Sequence, residues 1–256
     1  MAVHRGDGDG GGPLNAIAEA AVKTQQAGGG RAVMSGTVTK PGHAEPFILS
    51  GQVVYNDEGL SGGTVHLTDP KTHGPVKLEM VQDGTEMYMS SSSFGTLPQG
   101  RKWMGLDLAL GADLEEAAPP ATVDARGELA LLEEATGGVQ ELGKADVRGV
   151  PTTRYRGRID VSESAARLRE LGADDTASVV EDRGAPVQLE AWIDGKGLVR
   201  RMRIVQAKAR EEGEEPTVTK MQIDFFDFGL EPEIDVPDSD EVFDATSLVR
   251  EQVDDE

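Results

Sequence analysis

The sequence predicts an α+β fold, a curved antiparallel β-sheet with a few helices packed against it. Three observations carry this. Segments in which apolar and polar residues alternate recur at short spacing and end in Gly- or Asp-containing turns. Helix-period segments are few. Their order is helix, about six strands, two helices, two strands, helix, three strands, which segregates the helices against a single sheet. With too few helices to cover both faces, the sheet should curl around them. No period of about 20–50 residues repeats, which excludes a solenoid.

The most sharply patterned stretch is 186–205, PVQLEAWIDGKGLVRRMRIV. Asp194-Gly195-Lys196-Gly197 supplies the positive-φ positions of a hairpin connection. On the first arm Val187, Leu189, Ala191 and Ile193 share a face, opposite Gln188, Glu190 and Trp192. On the second, Leu198, Met202 and Ile204 share a face with Arg200, opposite Val199, Arg201, Arg203 and Val205. This is the pattern of an antiparallel pair with one buried side.

The remaining elements follow in order. Residues 1–13 form a flexible Gly/Asp leader. A helix is predicted over 13–27, with Pro13 in its first turn, Leu14, Ile17, Ala18, Ala21 and Val22 as its apolar stripe, and Gly28-Gly29-Gly30 as its stop. Strands are predicted at 31–40, 47–55, 64–68, 76–82, 85–90 and 101–107, joined as a meander by turns at Asn56-Asp57-Glu58-Gly59, Asp69-Pro70 and Asp83-Gly84. Helices follow at 107–118 and 122–135, split by Pro119-Pro120. Strands return at 139–147 and 152–161. A helix opened by Ser162-Glu163-Ser164 runs to Leu171, with Ala165, Leu168 and Leu171 on one side. After a polar loop at 174–185 come the hairpin, an acidic connector at 210–216 and a strand at 217–228. Ile234-Asp235-Val236-Pro237 closes the fold, and the residues from 242 on are expected to be a poorly ordered acidic tail. The domain is thus one unit over 14–244, with 245–256 disordered.

The chain has 256 residues, enough to bury a core without a disulfide or a structural metal. Its net charge of −21 repels phosphate backbones, so nucleic-acid binding is excluded. It contains no cysteine, which removes thiol catalysis and cysteine metal sites. No apolar run reaches the length of a membrane-spanning helix. The first residues carry no apolar stretch of the kind found in export signals.

Candidate chemistry is sparse. His66 and His73 flank Asp69 in HLTDPKTH, but the spacing matches no metalloprotease motif and the segment reads as a strand and turn. Ser90–Ser93 lacks a nucleophile elbow. Asp235, Asp238, Asp240 and Glu241 lack calcium-loop spacing. The expectation is no catalysis, no metal and no cofactor. Two softer signals remain. The methionines fall mostly in strands, where flexible thioethers suit either an adaptable apolar pocket or ordinary core filling. Arg154, Arg156 and Arg158 share one face of their strand, opposite Tyr155, Gly157 and Ile159. They read either as a solvated surface paired with glutamates such as Glu190 or as a basic stripe for a headgroup or partner.

The succession VRGVPTTRYRGRIDV (147–161), a helix, the 186–205 hairpin, a last strand and IDVPD (234–238) resembles the LolA-like lipoprotein-carrier superfamily. Within it the nearest type is the actinobacterial lipoproteins of the LppX/LprG group. MSGTVT (34–39) and KWMGLD (102–107) are similar in position to elements of that family. The resemblance implies a half-barrel with helices on its concave face and an apolar cavity between the layers. It implies a non-enzymatic carrier, a monomer that binds the acyl chains of a lipid or glycolipid, with an envelope protein as a possible partner. The location it implies is outside the cytoplasm, on a membrane anchor through a lipidated N-terminal cysteine that would precede Met1. On this reading the cavity is lined by Met34, Leu49, Met80, Met87, Met89, Trp103, Leu129, Leu132, Tyr155, Ile159, Leu168, Leu189, Met202, Ile204 and Phe225. The alternative is a protein-interaction or sensor domain on the same scaffold, without lipid cargo.

Overall fold

In a computed structural model the described residues are 13–43, 45–68, 74–107, 129, 132, 137–170, 185–208 and 214–246. The expected leader, most of the two middle helices, the loop at 174–185 and the residues after 246 lie outside them.

Alternation builds two meanders. The first runs through β1 (Gly29–Thr39), β2 (Phe47–Tyr55), β3 (Leu60–Thr68), β4 (Val76–Asp83), β5 (Glu86–Ser90) and β6 (Trp103–Asp107). The second runs through β7 (Gly137–Val147), β8 (Val150–Ile159), β9 (Val187–Asp194), β10 (Val199–Lys208) and β11 (Thr217–Leu230). They join in one twelve-stranded sheet of order β12-β6-β5-β4-β3-β2-β1-β11-β10-β9-β8-β7. The seam is the antiparallel β1–β11 pair, in which Thr39 faces Val218 at one end and Gly29 faces Leu230 at the other. The last strand, β12 (Val242–Asp244), lies parallel to β6; every other pairing is antiparallel. Residues 242–244, expected in a disordered tail, are therefore part of the sheet.

The turns follow their residues. At the β7–β8 hairpin Arg148 (φ 52°) and Gly149 (φ 80°) both take positive φ, as a two-residue hairpin loop requires. Asp194 organises the β9–β10 turn. Its Oδ1 accepts the N–H groups of Lys196 (2.8 Å) and Leu198 (3.0 Å), and its Oδ2 accepts Arg200 Nε (2.7 Å). A bulge between Val199 and Arg201 then shifts the register of β10. That extra residue corrects the expected alternation: Val199 turns into the core, fully buried, with Met202 and Ile204.

Helix α1 (Pro13–Gln25) begins on the proline and ends at Gly28 (φ 83°). Ile17, Ala20, Ala21 and Thr24 are buried, the i, i+3, i+4, i+7 stripe of one helical face. Val22, expected in the stripe, is 39% exposed, and the buried fourth position is the polar Thr24. Its hydroxyl donates to Ala20 O (2.6 Å) and accepts the N–H of Val199 (2.8 Å). One side chain thus caps the bulged end of β10 and ties α1 over β7–β10, the strands the helix contacts. The second described helix, α2 (Val161–Glu170), follows Asp160, whose Oδ1 accepts the N–H of Glu163.

The sheet has one apolar face and one polar face. Where two backbones approach most closely, glycine is required: a Cβ on Gly63 would collide with the carbonyl of Gln52 and the Cα of Val53. On the polar face residues 231–241 pass over β3 and β4. Ile234 sits above Gly62, where an added Cβ would press on its Cγ2 (3.1 Å), and Val81 beside it is buried. The strap ends where Glu241 O accepts the N–H groups of Lys102 and Trp103.

Candidate functional site

Residues that alternate inward from successive strands meet in one continuous buried layer. Met34 and Ala32 of β1, Leu49 and Val53 of β2, Val65 of β3, Leu78 and Met80 of β4 and Met87 and Met89 of β5 belong to it. So do Leu189 and Ala191 of β9, Met202 and Ile204 of β10, Ile223 and Phe225 of β11, and Ile17, Ala20 and Ala21 of α1. The rings of Phe225 and Tyr55 meet edge to face, centroids 6.4 Å apart. Apart from Met1, every methionine touches this layer. Met34, Met80, Met87, Met89 and Met202 are buried in it, and Met104 and Met221 pack against it. Met80, Met89 and Met104 are cross-strand neighbours on β4, β5 and β6. A run of unbranched thioethers is a surface that can repack around different shapes.

Of the residues expected to line a cavity, twelve lie together in this layer: Met34, Leu49, Met80, Met87, Met89, Leu129, Leu132, Ile159, Leu189, Met202, Ile204 and Phe225. Tyr155 packs on its margin. Burial and the charge of Glu141 raise the Tyr155 hydroxyl above its ordinary pKa, against a hydrogen bond to Thr153 that lowers it. Leu168 lies in α2, and its side chain is outside the described set. Trp103 is a correction. It is on the opposite face of β6 from Met104 and Leu106, in a shallow groove with Val54, Gly62, Thr64 and Ile234. Its phase in the strand, odd where the core positions are even, puts it there. Met104, not singled out from the sequence, has the phase that reaches the layer.

The polar face of β8–β11 carries the arginines. Arg154 Nη2 lies 2.7 Å from both oxygens of Glu190, and Arg156 donates to Glu190 Oε1 from Nε (3.0 Å) and Nη2 (2.8 Å). Arg203 Nη1 approaches Glu190 Oε2 at 3.7 Å, and its Nη2 donates to Gln222 Oε1 at 2.9 Å. Arg201 is bidentate on Asp224, at 2.6 Å through each nitrogen. Trp192 lies under the guanidinium groups of Arg154, Arg203 and Arg201, at 5.1, 5.6 and 5.8 Å from its ring, which leave it 5% exposed. Burial opposes the charge of Glu190, yet the hydrogen bonds and charges of Arg154 and Arg156 hold its carboxyl below the ordinary value.

His66 is exposed on the polar face, while Asp69 and His73 lie outside the described residues. Among the described residues no group of three or more His, Asp or Glu side chains is placed to hold a metal ion. No described helix is long and apolar enough to cross a membrane.

The molecule is therefore a mostly antiparallel twelve-stranded open sheet with few helices and one extended apolar layer, an α+β architecture consistent with a half-barrel. No family model matches the chain. It is 26% identical to an uncharacterised 31.2 kDa protein from the rplA–rplJ intergenic region of Streptomyces griseus, over 89% of this chain and 78% of that protein. Among solved structures it is similar to LprF from Mycobacterium bovis (14% identity, TM-score 0.49, 88% of this chain and 96% of that one). It is also similar to the lipoprotein LppX of Mycobacterium tuberculosis (15% identity, TM-score 0.46, 86% and 98%). Both are of the LppX/LprG type that the sequence resembles. A putative outer membrane lipoprotein-sorting protein domain from Vibrio parahaemolyticus matches at 11% identity and a TM-score of 0.31, over 85% and 93%.

Proposed function

We propose that this chain is a non-enzymatic lipid carrier of the cell envelope. The sheet curves as a half-barrel with its helices on the concave face, and acyl chains of a lipid or glycolipid enter between the layers. The observation that carries this reading is the convergence of all seven methionines after Met1 on one apolar layer. A carrier must exchange side-chain contacts for ligand contacts without rebuilding its backbone, and methionine does so at low cost. Each methylene sequestered from water contributes about 0.8 kcal/mol, so a chain of ordinary length is held without a charged anchor. The sheet and its covering helices part to admit the chain and close behind it. The protein acts outside the cytoplasm, as a monomer. No reaction is assigned to it.

Native mass spectrometry of the protein from an actinobacterial host, with organic extraction and lipid analysis, tests this. A stoichiometric adduct that extracts as an acylated lipid supports the carrier and identifies its cargo. An unmodified mass, together with no uptake of added lipid, overturns it and leaves the interaction domain as the reading.

A further inference from the structure

The arginine cluster around Glu190 is not used by the apolar layer on the other side of the sheet. It walls a depression of about 380 Å³ lined by Arg154, Arg156, Gln188, Glu190, Arg203 and Val205. Three guanidinium groups face one carboxylate, so two positive charges are uncompensated at the depression itself. Counting outward along the same face adds Arg158 with Asp160, Arg201 with Asp224, and the exposed Lys220 on β11. Among the described residues the excess of positive charge persists, in a protein whose net charge is −21. A surface that served only solubility would follow the sign of the whole chain.

The donors are also not all used. Arg154 Nε has no hydrogen-bond acceptor among the described residues, though it is buried and the donors open to a ligand are those of the more exposed Arg156 and Arg203. Arg203 Nη1, at 3.7 Å from Glu190, is beyond hydrogen-bonding distance. Glu190 is 12% exposed, against 53% for Arg156 and 45% for Arg203. The carboxylate therefore sits at the floor and orients the guanidinium groups, which present their outer edges to solvent. Trp192 lies beneath them, its ring centre 5.1 Å from the guanidinium carbon of Arg154 and 5.6 Å from that of Arg203. Planar forks of fixed direction are the arrangement that recognises oxyanions bidentately.

We propose that this depression is an oxyanion site that binds a phosphate group, either free or as the phosphate of a lipid headgroup. Two uncompensated charges match a phosphate better than a single carboxylate. The depression is also larger than one phosphate, which leaves room for a substituent on it. The site stands independently of what fills the apolar layer.

The test uses the full chain with two probes. Inorganic phosphate is titrated by calorimetry, and flotation measures binding to vesicles of phosphatidylcholine with or without phosphatidylglycerol. Arg156→Gln and Arg203→Gln remove exposed groups and should keep the fold, checked by an unchanged far-UV spectrum and a cooperative thermal transition, with the midpoint of Arg156→Gln modestly lower for the loss of its Glu190 pair. Arg31→Gln, which loses an exposed pair with Asp227 elsewhere, is the control. Saturable phosphate binding that weakens about tenfold or more in both pocket variants but not in Arg31→Gln supports the site with a free anion as ligand. Binding confined to phosphatidylglycerol vesicles, with the same dependence on the variants, supports the headgroup. No binding of either probe, or equal loss in all three variants, overturns the proposal and leaves the cluster as a lattice of ion pairs.

Discussion

On β8–β10 the buried face is built from Ile159, Val187, Leu189, Ala191, Val199 and Ile204 with a single methionine, Met202, and α1 lies over these strands with Ile17, Ala20 and Ala21. On β4–β6 the corresponding face is built from Leu78, Met80, Met87, Met89, Met104 and Leu106. Branched side chains have few rotamers and fit one partner closely, whereas the methionines have many and fit several. The polar sides differ as well, with an arginine cluster outside β8–β10 and the acidic strap outside β3–β4. One alternating pattern thus produces a fixed half, pinned to its helix, and an adaptable half. The contrast lies in side-chain shape, with the β10 bulge as an added difference of backbone.

The contrast is broken or sharpened most directly by truncating each half. Leu189→Ala, at 1% exposure against α1's side of the layer, should cost about 2–5 kcal/mol in urea unfolding. Met89→Ala, equally buried, should fall at the low end of that range, about 2 kcal/mol, because its adjustable neighbours can close on the space it leaves. Equal costs would erase the distinction. Next, Thr24→Val keeps the shape of the side chain but leaves the Val199 N–H without its acceptor, a loss of about 1–3 kcal/mol. Thr24→Ser, which retains the hydroxyl, should recover part of it.

A smaller effect follows from acid. Burial opposes ionisation of Glu190 and Asp194, but Arg154 and Arg156 hold the first below its ordinary value. The Leu198 N–H, Arg200 and the Lys196 N–H do so for the second. Their stabilisation is complete above the unfolded carboxylate pKa of about 4 and is lost as pH falls through the lower folded values. Acid should therefore weaken the β8–β10 half first, and Glu190→Gln should flatten the pH dependence of the thermal midpoint there. In the other half Glu86 behaves oppositely. Burial and the charges of Asp107, Asp244 and Asp83 raise its pKa, so Glu86→Gln should raise the midpoint slightly at neutral pH. The smallest change is expected from Ile234→Ala. It should leave global stability within about 1 kcal/mol while speeding hydrogen exchange of the Val81 amide under the strap.

The meander strands were legible because alternation survives without knowledge of partners; the arginines of β8 and the apolar arm of β9 needed nothing else. The failures have local causes. Val199 was misphased by a bulge that no residue in the sequence announces. Val22 was placed by its apolarity, although the tie to β10 turns the helix toward Thr24. Trp103 is apolar enough for the layer, but its phase beside Met104 and Leu106 sets it on the other face. The β1–β11 seam was not legible at all, since it depends on residues from opposite ends of the chain. Twelve of the expected lining residues meet in the layer because apolar residues of the right phase converge wherever one face is buried. The charge excess of the arginine cluster required the register of β8, β9 and β10.

The seam has a consequence for how the molecule is made. Each meander forms from near neighbours in sequence, but until β1 meets β11 both present an unpaired central strand, the kind of edge that recruits other chains. Closing so long a loop is the slow, late step of assembly. A chain stopped before β11 would keep its first meander yet remain adhesive, so synthesis must pass β11 before the protein is safe from its own copies.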